Sequence, residues 1–217
     1  MRKLLIVWGG WPWHFPGDGA RIVSEMLAED GFSATITQDF AALGDAAKYD
    51  LVVPIITNAD IADSVVADLN SAVRGGVGLG GYHCCLAASF HASVPFHYLC
   101  GVQWVAHPGN ETAEYRVNVT RPDDPVMEGI PDFDYKSEQY YLHYDPTVEV
   151  LATTTFTGRY DPTTAGVVMP VVFKRRLGAG RIFYSSLGHH PSELTHPHGR
   201  AILRRGLNWA ARDPSTN

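Results

Sequence analysis

The sequence predicts an α/β fold, in which a mostly parallel, doubly wound sheet lies between layers of helices. Over residues 1–90, short apolar segments alternate with longer amphipathic ones, as strands and helices do in such folds. Most of the apolar segments end at glycine or at polar residues, which indicates where the strands stop. A chain of 217 residues, 45% of them apolar, is long enough to bury one sizeable core. We therefore expect a single domain over residues 1–217.

The first half of the chain supplies the predicted parallel strands. Residues 3–8 form a mostly apolar run that ends at Gly9, as expected of a strand buried on both faces. Further strands are predicted at residues 33–38, 51–56 and 77–81. Helices are predicted at residues 18–30 and 61–74, and glycine follows each of them. Because crossovers between parallel strands share one hand, the carboxyl ends of these strands should meet at one edge of the sheet.

The second half of the chain adds strands of a different kind. Residues 113–119 alternate between polar and apolar side chains, which is typical of an edge or antiparallel strand. An exposed edge of this kind is a surface through which a homo-oligomer could pair. Residues 148–156 and 167–175 predict a β-hairpin joined by a polar loop. A buried strand at residues 181–186 and an amphipathic helix at residues 199–211 complete the predicted fold.

Residues 77–90 form the most informative segment of the chain. A short apolar strand runs there into a glycine turn and then into a predicted helix that begins near Cys84 or Cys85. This arrangement is the geometry of a nucleophile elbow, which holds one side chain out at the carboxyl edge of a sheet. The residue at the turn is His83, which favours acid–base or metal chemistry. A helix N-terminus lowers the pKa of a nearby imidazole and so predicts a neutral His83 at pH 7. The alternative is a buried histidine with a structural role.

The loop after the first strand predicts a wall for a sugar-like ring. It contains three tryptophans within six residues, Trp8, Trp11 and Trp13, and His14 follows them. Aromatic rings in a loop are costly to expose to water, and their faces pack against the C–H faces of sugars. Trp11, Trp13 and His14 are therefore candidate substrate contacts. The alternative is that the tryptophans cover the core and that His14 holds the loop in place.

Two middle segments add polar groups to the same predicted cleft. His107 precedes a proline, which forces it toward an extended conformation, and Gln103 lies four residues before it. Glu138, Tyr140 and Tyr141 supply a carboxylate and two phenols, which suit the orientation of a histidine and the binding of hydroxyl groups. We predict Gln103, Tyr140 and Tyr141 as substrate contacts. Solvent-exposed turn and strand positions are the alternative for both segments.

A late strand and glycine turn lead to His189 and repeat the pattern that ends at His83. We therefore predict a catalytic set that consists of His83, His107, Glu138 and His189. The sequence contains neither an H-x-x-x-H pattern nor a C-x-x-C pair, so it has no local zinc motif. A divalent metal such as zinc, held by His83, His107 and His189 from separate segments, would leave no spacing signature, and Glu138 could join it.

Composition excludes several classes of partner. The net charge of −6 and the pI near 5.9 provide no basic stripe for nucleic acid. No apolar run reaches the roughly 20 residues of a membrane span, and the apolar start of the chain is too short for a signal peptide. Three cysteines, two of them adjacent, do not form a disulfide framework. We therefore expect no nucleic-acid or membrane partner, and a location in the reducing cytoplasm.

Five motifs together resemble the trehalose-utilisation, or ThuA-like, family. They are Gly80-Gly-Tyr-His83, Gln103-Trp-Val-Ala-His107-Pro, Glu138-Gln-Tyr-Tyr, Met169-Pro-Val-Val and Gly180-Arg-Ile-Phe-Tyr-Ser-Ser-Leu-Gly-His189. The similarity extends over nearly the whole chain. It implies a flavodoxin-like three-layer sandwich similar to the class I glutamine amidotransferase domain, with another residue in place of the amidotransferase cysteine at the elbow. It also implies a role in sugar catabolism beside dehydrogenases that oxidise disaccharides to 3-keto forms, and hence a small-molecule sugar substrate.

The leading hypothesis for function is an enzyme that acts on a 3-keto sugar or 3-keto glycoside. A ketone at C3 acidifies the C2–H bond, and His83 or His107 could remove that proton. Glu138 would orient the base or act as a second base, while His189 serves as acid or ligand. The product would be a 2-keto sugar by isomerisation, or the result of an elimination.

Two alternatives from other classes stay open. The first is a cysteine-dependent hydrolase or amidotransferase relative, in which Cys84 or Cys85 is the nucleophile. The second is a carbohydrate-binding module without catalytic activity. Sensitivity of activity to thiol alkylation separates the first from an enolising enzyme, and binding without turnover identifies the second.

Overall fold

The centre of the protein is a nine-stranded mixed sheet, accompanied by a separate two-stranded sheet. The structure, a computed structural model, describes residues 1–212. Its strands are β1 (Arg2–Gly10), β2 (Phe32–Thr37), β3 (Leu51–Thr57), β4 (Gly78–Tyr82), β5 (Val102–Ala106), β6 (Glu114–Val119), β7 (Phe133–Lys136), β8 (Tyr141–Tyr144), β9 (Glu149–Thr155), β10 (Val168–Leu177) and β11 (Gly180–Ser185). Its α-helices are α1 (Pro16–Ala28), α2 (Asp63–Arg74), α3 (Cys84–Ala87), α4 (Val94–Cys100) and α5 (Pro197–Ala210). A 3-10 helix at Phe40–Lys48 lies between β2 and β3.

Strand order confirms the predicted α/β class. The large sheet runs β2-β1-β3-β4-β11-β10-β9-β6-β7. The first five strands of that order are parallel to one another, and each of the remaining four is antiparallel to the strand before it. The predicted hairpin is present as β9 and β10. The carboxyl ends of β1, β3, β4 and β11 consequently meet at one edge of the sheet.

Helices cover both faces of the sheet and form the two outer layers. Alternate residues of β1 point to opposite faces, so that Leu4 and Ile6 join one apolar cluster while Leu5 and Val7 join the other. Helices α1 and α5 contribute to the first cluster, and α2 and α4 to the second. Both faces of the parallel strands are therefore buried, which explains their nearly continuous apolar sequences.

The segment at residues 113–119 is an antiparallel strand, as predicted, but it is not an edge. Strand β6 pairs with β7 over Glu114–Val117 and with β9 through Asn118 and Val119. The short strand β7 occupies the edge instead. Because β7 has only four residues, its alternation was too brief to predict from the sequence. The predicted use of β6 as a free pairing edge is therefore wrong.

The helices within residues 1–212 are short for a bilayer. The longest, α5, has 14 residues, and no helix in the described part of the chain is both long and apolar enough to cross a membrane.

Candidate active site

The principal cavity lies at the carboxyl edge of the parallel strands and has a volume of about 640 Å³. His14 follows β1, Thr57 ends β3, and His189 follows β11, and all three line this cavity. The small sheet adds a second wall, because Ala106 pairs with Tyr141 and so brings His107 next to Tyr140. A cavity at this position agrees with the rule that ligands bind outside the carboxyl ends of strands in open α/β sheets.

The predicted elbow is present in its backbone, and the helix after it begins at Cys84, as predicted, but is short. His83 has φ 50° and ψ −123°, a strained conformation for a residue with a side chain. Helix α3 is one irregular turn, and Leu86 within it has φ 72°. The backbone N–H groups of Asn58 and Ala59 donate to the carbonyls of Ala88 and Ser89. The carbonyls of residues 88 and 89 therefore bond to the segment that follows β3, and not to N–H groups within a longer helix.

His83 lies beneath the cavity floor rather than in the cavity. Its side chain is only 1% exposed, and it is not among the residues that line the cavity. Its Nε2 atom is 3.1 Å from Oε2 of Glu138, and its Nδ1 atom is 3.1 Å from the hydroxyl of Tyr140. The prediction that His83 projects outward is therefore wrong, because the elbow directs the ring toward Glu138 and Tyr140.

The prediction of a neutral His83 is also wrong. Burial favours the neutral imidazole, but contacts with Cys84 and Glu138 raise the pKa of His83 to about 9. Burial likewise opposes charge on Glu138, but the hydrogen bond and the charge of His83 lower its pKa to about 2. The two groups form an ion pair at pH 7. A single distorted turn has too small a dipole to reverse this effect.

Glu138 brings the predicted catalytic set together. Its Oε2 atom also lies 3.6 Å from Nδ1 of His189, and its Oε1 atom lies 3.8 Å from Nε2 of His107. Glu138 itself is buried and lies three residues before the first residue of β8. The structure thus places His83, His107 and His189 around one carboxylate, although these residues come from three distant segments.

His189 has an unpartnered ring nitrogen. Its Nδ1 atom is buried and has no hydrogen-bond partner, whereas its backbone N–H donates to Glu193. Burial, followed by the charge of His83, lowers the pKa of His189 below its usual value of 6.5. The ring is therefore neutral at pH 7 and carries a lone pair.

His14 belongs to the same group of side chains. Its Nδ1 atom is 3.0 Å from Oγ1 of Thr57, and Thr57 donates its own proton to the Cys84 sulfur over 2.7 Å. The ring centroid of His14 lies 5.3 Å from that of His83 and 5.2 Å from that of His189.

Four side chains from this group have the geometry of potential metal ligands. One ligand atom from each of His14, His83, Glu138 and His189 can be chosen so that all four lie within 4.8 Å of one another. This set differs from the predicted set of His83, His107 and His189, because His14 takes the place of His107. His107 instead faces the other oxygen of Glu138. The sequence could not distinguish the two histidines, since the choice depends on which side of Glu138 each loop reaches.

Aromatic side chains form the rim and one wall of the cavity. Trp11 and Trp13 are 49% and 69% exposed and line the opening. Tyr140 lies deeper and stacks on His107, with ring centroids 6.2 Å apart. Two predicted contacts lie elsewhere. Gln103 is paired in β5 and Tyr141 packs against Phe156, and neither is among the cavity-lining residues.

The sequence profile of the trehalose-utilisation family, ThuA, matches residues 3–210. The chain belongs to this family. No curated protein sequence matches the chain. Family membership confirms the resemblance drawn from the sequence motifs, and it associates the chain with trehalose utilisation without specifying a reaction.

Solved structures place this ThuA family member in the expected fold group. A protein described as ThuA-like from Parabacteroides merdae ATCC 43184 has 20% identity and a TM-score of 0.78, with 96% of this chain and 89% of that chain covered. A second, from Bacteroides uniformis ATCC 8492, has 18% identity and a TM-score of 0.78, with coverage of 96% and 91%. A protein described as a GMP synthase component from Thermoplasma acidophilum has 16% identity and a TM-score of 0.59, with coverage of 96% and 93%. The last similarity agrees with the predicted amidotransferase-like fold.

Sequence reasoning about the family motifs missed two asparagines at the cavity. Asn58 and Asn110 both line it and have positive φ values of 51° and 48°. Oδ1 of Asn110 lies 3.0 Å from Nδ1 of His107. Asn58 directly follows the apolar strand β3, and this position was a usable signal because polar residues after parallel strands reach the ligand edge. Asn110 had no such signal, because the loop that contains it follows the small antiparallel sheet.

Proposed function

We propose that this protein is an enzyme that acts on a 3-keto sugar or 3-keto glycoside by acid–base enolisation. One observation carries the proposal: Glu138, His107 and His189 open into a single cavity whose rim and wall are aromatic. Perturbed ionisable groups that share a cavity are typical of catalytic sites. The family's association with trehalose utilisation supports a sugar as the substrate.

His107 is the residue that we assign as the base. With Oδ1 of Asn110 as acceptor, Nδ1 of His107 carries the ring proton and Nε2 keeps its lone pair. That nitrogen lies 3.8 Å from Oε1 of Glu138, so the carboxylate stabilises the imidazolium that forms when the base takes up a proton. This arrangement favours His107 over His83 as the group that touches substrate, because His83 lies below the floor.

The proposed reaction begins with transfer of the C2 proton to Nε2 of His107. The C–H electrons form a C2–C3 double bond, and the ketone oxygen gains the negative charge. The positive charge at His83, beneath the cavity floor, stabilises this enediolate. Reprotonation at C3, with loss of the O2 proton, gives the 2-keto isomer. Alternatively, the ketone at C3 re-forms, the C2–C3 electrons form a C1–C2 double bond, and the C1 substituent leaves with the electrons of its bond and takes a proton from the His107 imidazolium, which gives the elimination product.

The aromatic side chains supply ring contacts for the sugar. Trp11 and Trp13 at the rim and Tyr140 in the wall present faces and edges suited to C–H groups. The cavity volume of about 640 Å³ falls within the range of about 300–1,000 Å³ usual for small-molecule sites. The three cysteines are unpaired and buried, which supports the proposed location in a reducing cytoplasm.

A product assay with a matched histidine control tests the proposal. The purified protein is incubated with 3-keto-glucose and with 3-keto-trehalose, and the products are identified. We expect His107→Gln to reduce kcat by about 10²–10⁴-fold with a smaller change in KM. His143→Gln is the control, because His143 is exposed on β8 and lies outside the cavity-lining set. Full activity in His107→Gln would refute its role as the base.

One observation favours the cysteine alternative as a second candidate. Cys84 lines the cavity, and Thr57 donates a hydrogen bond to its sulfur. Burial would raise the pKa of Cys84, but polar contacts with Cys85, His14 and His83 lower it well below 9.0. Cys84→Ala separates the two functions: the enolisation proposal predicts that it keeps at least about a tenth of the activity, whereas a cysteine nucleophile predicts a loss of several orders of magnitude. Binding of sugar with no product from any variant would indicate the non-catalytic module.

A further inference from the structure

We propose that His14, His83, Glu138 and His189 bind one divalent transition-metal ion of the zinc class, with an open coordination position toward the cavity. The ligand atoms assigned are Nε2 of His14, Nε2 of His83, Oε2 of Glu138 and Nδ1 of His189. The argument rests on where the protons and lone pairs of these side chains lie.

The proton on His14 is fixed by a short chain of hydrogen bonds. Thr57 uses its only hydroxyl proton to donate to the sulfur of Cys84. Its oxygen must therefore accept from Nδ1–H of His14, 3.0 Å away. A neutral His14 with its proton on Nδ1 has a lone pair on Nε2, which is the form that binds a metal.

With its proton on Nε2, which lies 3.6 Å from Oε2 of Glu111, His189 has a second lone pair in the same place. Its Nδ1 atom is buried without a partner and lies 3.6 Å from Oε2 of Glu138. A buried lone pair next to a carboxylate oxygen is unfavourable unless a positive charge lies between them. A metal ion at this point would be coordinated by both Nδ1 of His189 and Oε2 of Glu138.

His83 and its neighbours complete the set. Its Nε2 atom faces the same carboxylate oxygen at 3.1 Å, and its Nδ1 atom lies 3.1 Å from the hydroxyl of Tyr140. With a metal on Nε2, Nδ1–H donates to that hydroxyl. Thr57 would then accept a hydrogen bond from His14, and Tyr140 one from His83. Hydrogen bonds of this kind orient metal-bound histidines in known sites.

Distances and donor types favour a small transition metal. One ligand atom from each of the four residues can be chosen so that all four lie within 4.8 Å of one another. A five-coordinate ion with bonds of about 2.0–2.1 Å separates neighbouring ligands by roughly 3 Å, so side-chain adjustments of about 1–2 Å close the site around the four side chains and leave the fifth position open. Three imidazoles with one carboxylate suit zinc, cobalt or iron, whereas magnesium and calcium prefer all-oxygen sites.

The position of the four ligands gives the ion access to substrate. His14, Glu138 and His189 line the cavity, while His83 lies beneath them. The ion would therefore face the cavity on its open side. This part of the inference rests on the proposed function: the neighbouring oxygens at C2 and C3 of a 3-keto sugar could occupy the open position, and the metal would take over from the His83 proton in stabilising the enediolate.

Metal titration in the absence of substrate tests the site. Chelator-treated, untagged protein is titrated with Zn²⁺ by calorimetry and with Co²⁺ by visible absorption. We expect one equivalent per chain, and an affinity that falls at least about tenfold in His14→Ala, His189→Ala and Thr57→Val. Thr57→Val preserves shape and tests the outer partner without removing a ligand. His107→Gln and the double variant His196→Gln/His198→Gln are controls that should bind as the native protein does, and circular dichroism confirms folding.

The outcomes separate the metal site from the proposed reaction. No stoichiometric binding, or binding lost only in the His196/His198 variant, overturns the metal site. Tight binding that depends on His14 and His189 supports it, even if no sugar reacts, and in that case the proposed function fails alone. Turnover that is equal before and after complete metal removal leaves the function standing and overturns the role of the metal.

Discussion

His83 occupies a backbone conformation that residues with side chains rarely adopt. Strain of this kind costs of the order of 1–3 kcal/mol and persists only where surrounding contacts enforce it. Those contacts are present, because the N–H of His83 donates to Ser185 over 2.7 Å and its carbonyl accepts from the hydroxyl of Tyr184. The fold therefore stabilises the elbow from β11 and directs the imidazole to Glu138.

At the residue scale, the sequence predicted which residues form the site better than it predicted how their side chains are directed. His14, His83, His107, Glu138 and His189 were all identified as candidates, and the structure brings them together. Their protonation and direction were not predictable, because both depend on partners distant in the chain. The ring of His83, for example, is directed toward Glu138, which lies 55 residues away.

Removal of the exposed rim tryptophan tests the proposed sugar contacts. We expect Trp13→Ala to raise KM roughly tenfold with little change in kcat, because a ring contact binds ground state and transition state alike. Trp13 is 69% exposed, so the substitution should leave the melting temperature nearly unchanged. The control is Tyr144→Ala, which removes a 44%-exposed aromatic ring outside the cavity-lining set. An unchanged KM in Trp13→Ala would exclude Trp13 from sugar binding.

At the element scale, the close approach of α5 to β4 explains part of the glycine-rich sequence before the elbow. A Cβ atom at Gly80 would lie 2.2 Å from Cδ2 of Leu207, and one at Gly78 would lie 2.3 Å from the carbonyl oxygen of Ala210. The glycines of β4 thus allow helix α5 to pack directly on the strand that leads to His83. The sequence indicated a turn at these glycines, but the helix that they contact could not be predicted.

Alanine at Gly78 should destabilise the protein, because the clash is with backbone that cannot rotate away. We expect Gly78→Ala to reduce the free energy of unfolding by about 1–3 kcal/mol, measured by urea denaturation. The matched control is Gly44→Ala in the 3-10 helix, where the nearest atom to a new Cβ is 3.6 Å away. That variant should be within about 1 kcal/mol of the native protein and on the stable side. Equal effects at the two positions would contradict the packing account.

Helices α1 and α5 are also connected by a charge pair that predicts a pH dependence. Nε and Nη2 of Arg204 donate to the two carboxylate oxygens of Asp30 over 2.8 and 2.7 Å. Hydrogen bonds from Arg204 lower the pKa of Asp30 below 3.8. A carboxylate with a lowered pKa in the folded state stabilises above its unfolded pKa, and this contribution is lost as the pH falls through the folded value.

Asp30→Asn should therefore be less stable than the native protein at pH 7, by about 1 kcal/mol or less because the pair is partly exposed. The difference should shrink as the pH is lowered below about 5, where unfolded aspartate begins to bind protons. Urea denaturation at several pH values measures it. A difference that stays constant down to about pH 3, or that grows as the pH falls, would contradict the assigned ion pair.

At the scale of the whole molecule, the parallel half of the fold was predictable and the antiparallel half was only partly so. Strands β1, β3, β4 and β11 are buried on both faces and have clear apolar runs, and two of the helices between them have clear apolar faces. Strands β5, β7 and β8 have four or five residues each, which is too short for an alternation of apolar and polar residues to be recognised reliably. Because β5 and β8 position His107, Glu138 and Tyr140, the site was less predictable than the fold.

The proposed metal site predicts a change in global stability. An ion that binds only the folded protein stabilises it by about 2.7 kcal/mol at a hundred times its dissociation constant. For a chain of 217 residues this corresponds to a rise in melting temperature of about 5–10 °C. The rise should be absent in the double variant His14→Ala/His189→Ala. An equal rise in that variant would show that the ion binds elsewhere.

Hydrogen exchange at C2 tests the central claim most directly. The native protein, with and without chelator, and the His107→Gln variant are incubated with 3-keto-glucose in heavy water and followed by NMR. We predict that deuterium enters C2 with the native protein, at least about a hundredfold more slowly with His107→Gln, and more slowly after chelation. A native protein that binds the ketone and never exchanges its C2 hydrogen would contradict enolisation at this site.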